Sequence, residues 1–151
     1  MITGVGRRRE PGPRRFATNA LGTFDNVGME SKPVRRLKTY TGTQGYVYQY
    51  YFVGKRQALP EDPAAPAQEF IFDVTSDRKL TYSVSVFLPE GPLNGWSQAH
   101  GRLLNDAEQY GAVKMTLFRA FDELEDVKSD GRRLVIDPAA LEQALSSLGV
   151  D

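Results

Sequence analysis

Residues Gln68–Leu88 read QEFIFDVTSDRKLTYSVSVFL, and the fold class follows from their periodicity. Phe70, Phe72 and Val74 fall on one side of the first half, and Leu80, Tyr82, Val84, Val86 and Leu88 on one side of the second. A period of two is what a strand with one buried face requires. Between the halves lies the polar run Thr75-Ser76-Asp77-Arg78-Lys79, so the stretch predicts a β-hairpin. Thr81, Ser83 and Ser85 occupy the other side of the second strand, which is expected to meet water.

Just upstream, Tyr46–Val53 reads YVYQYYFV between Gly45 and Gly54. Its aromatic and β-branched density predicts a third strand. Tyr46, Tyr48, Tyr50 and Phe52 share one face. Val47, Gln49, Tyr51 and Val53 form the other, which is also mostly apolar, so the strand is expected to be central or covered on both sides. Lys55–Ala67 contains Pro60, Pro63 and Pro66 and reads as a loop.

Downstream, Pro89-Glu90-Gly91-Pro92 is turn chemistry, and Leu93–His100 fits a short helix presenting Trp96. Asn105 with Glu108 three residues on is a capping box. It opens a helix expected to run to about Lys128, with Tyr110, Val113, Leu117, Phe118, Phe121 and Leu124 as an apolar stripe. Asp122, Glu123, Glu125 and Asp126 read as its solvated side. Arg133–Ile136 fits a short edge strand, and Asp137-Pro138 starts a last helix carrying Leu141, Leu145 and Leu148, which Gly149 ends. The expected fold is α+β in two layers: a three- or four-stranded antiparallel meander packed by a long helix and a C-terminal helix.

The chain has 151 residues, 40% apolar and 25% charged, with no cysteine. That composition suits one globular core and excludes disulfides, thiolate metal sites and a cysteine nucleophile. No run of apolar residues is long enough to span a bilayer, so membrane partners are not expected and the location read from the sequence is cytoplasmic. The net charge is zero but divided. Residues 1–38 hold nine Lys or Arg against three acids, and residues 39–151 ten against sixteen. Residues 1–38 are therefore expected to be a basic, disordered tail and residues 39–151 one domain. Such an arm can neutralise nucleic-acid phosphates or serve as a transit segment. Met29, followed by Glu30-Ser31-Lys32-Pro33, also reads as a start site, which would make residues 1–28 a start-codon artefact. That plainer reading ranks first.

Nine residues are candidates for binding. His100, the sole histidine, stands with Trp96 and Arg102 in a connecting segment, where it fits a general base or an anion contact. Without a visible nucleophile, a solvated loop histidine is the more ordinary assignment. Asp73, Asp77 and Arg78 gather at the hairpin. Two carboxylates can act as an acid–base pair, but Asp77 fits a turn residue and Asp73 an ion-pair partner of Arg78 or Lys79. Tyr46, Tyr48 and Tyr50 lie in Gln44-Gly45-Tyr46-Val47-Tyr48-Gln49-Tyr50-Tyr51, which partly follows the aromatic strand of RNA-recognition motifs. It departs from that pattern at Gln44 and Val47, and the helix order differs, so membership is not inferred. No catalytic set, metal ligand cluster or cofactor loop is visible.

Three functions are therefore expected, in order: a non-catalytic binding or interaction module for a protein or small molecule, a nucleic-acid-binding protein using the basic arm and the tyrosine strand, and a small enzyme using His100 with Asp73 or Arg102. A homodimer paired through an edge strand is a further expectation.

Overall fold

The computed structural model describes residues 36–151. The expected basic tail lies outside them except for residues 36–38. Among the described residues the sheet has five strands where three or four were expected, and it is mixed rather than purely antiparallel: β1 (Lys38–Thr41), β2 (Val47–Gln57), β3 (Ala67–Thr75), β4 (Tyr82–Pro89) and β5 (Arg133–Val135), in that spatial order. The first four form an antiparallel meander, whereas β5 joins β4 in parallel. That orientation follows from the connection, because the chain returns to β5 through helices rather than a hairpin.

Those helices are α1 (Glu90–His100), α2 (Asp106–Glu123) and the single turn α3 (Val127–Asp130), with α4 (Pro138–Ser147) after β5. One apolar layer joins them to the sheet. Tyr48, Tyr50, Phe70, Phe72, Val74, Tyr82, Val84, Val86 and Leu88 project from one face against Trp96 of α1, Val113, Leu117 and Phe121 of α2, Val127 of α3, and Leu141 and Leu145 of α4. The alternation of Phe70–Val74 and Tyr82–Leu88 predicts their burial correctly. Leu80 departs from it: β4 begins at Tyr82, and Leu80 stays in the hairpin loop at 56% exposure.

Element ends differ from expectation for local reasons. The strand expected to stop at Val53 continues as β2 to Gln57 after a register shift between Phe52 and Gly54, so residues 55–57 are strand rather than loop. α1 starts at Glu90 because Pro92 falls in its first turn, where no intrahelical donor is lost. The helix expected to reach Lys128 stops at Glu123. Leu124 turns extended, and Asp126 caps α3 by accepting from the Ser129 amide. Asp122 is likewise no solvated acid: it accepts from the Tyr40 hydroxyl at 2.9 Å and from the Thr43 amide at 3.0 Å, tying the β1–β2 turn to the end of α2. The capping box of Asn105 and Glu108 and the Asp137 cap form as read.

The largest departure concerns the second face of β2. Among the described residues all four helices lie on the other side of the sheet, and none covers this face. Val47 and Val53 are 43% and 40% exposed.

Candidate functional site

The side chains on the helix-free face follow from the strand registers. Tyr51, Asp73 and Ser83 stand opposite one another across β2, β3 and β4, and Ile71 opposes both Gly54 and Ser85. The Tyr51 hydroxyl donates to Asp73 Oδ2 at 2.8 Å, and Ser83 donates to Oδ1 at 3.4 Å. Asp73 has no cation within ion-pair distance among the described residues, so the Arg78 or Lys79 pairing expected for it does not form. Two same-face positions along the strand, beyond Ile71, Glu69 is buried. It accepts from Arg56 Nε at 2.9 Å and from the Ser85 hydroxyl at 2.6 Å, the compensation a buried carboxylate needs.

At the far end a lid of chain covers this face. Ala58, Ala67 and Phe87 pack with Ala64 and Ala65 of the β2–β3 loop, and the Arg133 guanidinium lies 4.6 Å from the Phe87 ring centroid. Arg133 also holds Asp62 of that loop at 2.7 Å. The Asp62 carboxyl is drawn below its ordinary range, first by the Ala64 amide and then by Arg133. The other end carries Val47, Gln49, Tyr51, Val53, Ile71 and Asp73.

Trp96, His100 and Arg102 do come together, at the C-terminal end of α1. The indole and imidazole stack at 4.2 Å and 13°, and the Arg102 guanidinium sits 5.2 Å from the indole centroid. His100 Nε2 and the Arg102 guanidinium are engaged within the fold. His100 Nε2 meets Glu142 Oε1 at 3.0 Å, linking α1 to α4. Arg102 grips the Glu108 carboxylate with two bonds of 3.0 Å and donates to the Asp151 carbonyl. Its grip pulls the Glu108 carboxyl below the usual carboxylate range, with the Asn105 amide second. Trp96 is 4% exposed, so no exposed aromatic patch forms around it, and its buried Nε1 meets no acceptor.

His100 and Asp73 lie on opposite sides of the sheet: α1 packs on the helix-bearing face, and Asp73 bonds Tyr51 and Ser83 on the other. They share no site. Asp77 is a turn residue. Its Oδ1 accepts from the Lys79 and Leu80 amides at 2.8 and 2.9 Å, and these amides, Leu80's first, hold its carboxyl low. Arg78 adopts φ 64° in the same turn. Tyr48 and Tyr50 are 2% and 3% exposed, stacked or tilted against Phe121, and burial pushes both phenols up. They offer no platform for bases. Tyr46 is exposed just before β2.

Tyr51, Glu69, Arg56, Val47, Val53 and Ile71 were not singled out as site residues from the sequence. The available signal was the apolar second face of β2. Among the described residues no cluster of acids and histidines could hold a metal ion, and no helix is long and apolar enough to cross a membrane. Protein-family models, curated proteins and solved structures yield no match to this chain.

Proposed function

We propose that the chain is a non-catalytic binding module that receives a protein partner on the helix-free face of its sheet. The observation that carries this reading is the placement of the four described helices on one side, while the opposite side bears Val47, Val53 and Ile71 beside Asp73, which has no cation among the described residues. Apolar side chains in a row on one strand face form a patch rather than scattered exposure. A patch edged by hydrogen-bonded polar groups has the make-up of a protein interface.

Charge selects the partner. Asp73 and Glu69 are acids, and among the described residues only Glu69 has a cation, Arg56. A phosphate backbone would meet an uncompensated carboxylate there, whereas a protein surface offering Lys or Arg beside apolar side chains complements it. Burial of Tyr48 and Tyr50 leaves only Tyr46 of the three tyrosines exposed for stacking, and His100 and Asp73 lie on opposite sides of the sheet; both favour the binding-module reading.

The test is the native size of the full chain in extracts of its own cells. We expect it to elute in a complex larger than the monomer, and the Val47→Asp/Val53→Asp double variant to elute as monomer with an unchanged thermal midpoint. Elution of the unmodified chain as monomer, or of the double variant in the same complex, would contradict the reading.

A further inference from the structure

On the helix side of the sheet stands an amine that meets no carboxylate among the described residues. Lys114 of α2 lies one turn from Tyr110 and one from Phe118. Its Nζ sits 5.6, 5.4 and 5.6 Å from the ring centroids of Tyr110, Phe118 and Tyr50. The side chain is half-buried. Lys38, first residue of β1, pairs across the ladder with Tyr50 and so shares that ring's face of the sheet.

Five of the described Lys and Arg residues meet carboxylates. Lys55 meets Asp106, Arg56 meets Glu69, Arg102 meets Glu108, Arg119 meets Glu123 and Arg133 meets Asp62. Among the described residues neither Lys38 nor Lys114 has a carboxylate within ion-pair distance, and neither spends a donor on a hydrogen bond.

A half-buried ammonium loses hydration, and three ring faces return only part of it. Burial lowers the Lys114 pKa, and the Lys38 charge lowers it further. Both lysines therefore lie beside Tyr50 with no acid between them among the described residues, which is unfavourable for two like charges alone. An anion between them turns the repulsion into two charge-assisted contacts and uses donors that are otherwise idle.

We propose that Lys38 and Lys114 form a binding site for a small organic anion, a carboxylate or phosphate group whose apolar body packs on the rings of Tyr110 and Phe118. The two ammoniums hold the anionic group. The half-buried rings on either side of Lys114 favour a ligand with apolar surface over a bare ion. The site lies on the opposite side of the sheet from the proposed docking face, so either can fail without the other.

The experiment titrates the full chain with benzoate, phenyl phosphate, acetate and inorganic phosphate at constant ionic strength, reading backbone amide shifts. We expect saturable shifts confined to residues 38–40, 50–52 and 110–118 with benzoate, phenyl phosphate or both. The stronger of the two names the anionic group, and acetate and inorganic phosphate bind more weakly. Lys114→Met and Lys38→Met should each weaken binding by about tenfold or more, and exposed Lys128→Met should leave it unchanged. Shifts that never saturate or that spread over all surface lysines overturn the site, and they do so in the unmodified chain, whatever the variants do to folding. Binding that survives Lys114→Met overturns it equally. Acetate binding as tightly as benzoate overturns the role of the rings.

Discussion

Gly42 marks the closest approach between the β1–β2 turn and α2. A Cβ there would sit 2.7 Å from the Phe121 carbonyl oxygen. Gly42→Ala is expected to cost about 1–3 kcal/mol, the range for overpacking against a backbone that cannot yield. A urea midpoint equal to that of the unmodified chain would show that the turn moves freely. Tyr82 makes a second residue-scale prediction. Burial, with smaller contributions from Tyr48 and Asp126, pushes its phenol up to about 12 from 10.0. A folded value above the unfolded one means that the stabilising contribution is complete below pH 10 and is lost as pH rises towards 12. Its size is about 3 kcal/mol at most. Tyr40, Tyr48, Tyr50 and Tyr110 shift in the same direction, each led by burial. Unfolding followed against pH should therefore show stability falling above pH 10, and less steeply in Tyr82→Phe. A flat profile between pH 10 and 12 would contradict the burial of this cluster.

Among the elements, those with a local signal were legible and those held by distant contacts were not. The hairpin of β3 and β4 announces itself through alternation, and α2 through the Asn105–Glu108 box. Asn105→Ala should cost about 1 kcal/mol in thermal or urea unfolding. Glu108→Ala should cost more, because Glu108 also anchors Arg102. Equal losses would mean that the Arg102 grip contributes nothing. By contrast, β1 is only KTYT, with no alternation to read. Its position comes from the Tyr40 ring, stacked on Phe118 at 4.3 Å and 5°, and from the Tyr40 hydroxyl on Asp122, partners about eighty residues away. The end of α2 was equally hidden, since neither Gly nor Pro marks Leu124. Trp96, His100 and Arg102 were recognised as neighbours, but the partners that absorb the last two, Glu142 and Glu108, lie on other helices.

At the scale of the whole molecule, the two faces of β2 carry the functional reading. Both were read from the sequence as apolar, which predicts cover on both sides. Tyr48, Tyr50 and Phe52 receive that cover from the helices, while Val47 and Val53 do not. Hydrophobic patterning states that a face prefers to be buried, and it is silent on whether the same chain or another does the burying. Residue-specific photo-crosslinking in living cells asks this directly. A photoreactive residue at Gln49, on the helix-free face, is predicted to join the chain to one discrete protein, and the same residue at exposed Glu125 beyond α2 to yield none. Equal crosslinking from both positions, or none from Gln49, would contradict a binding face on the open side of the sheet.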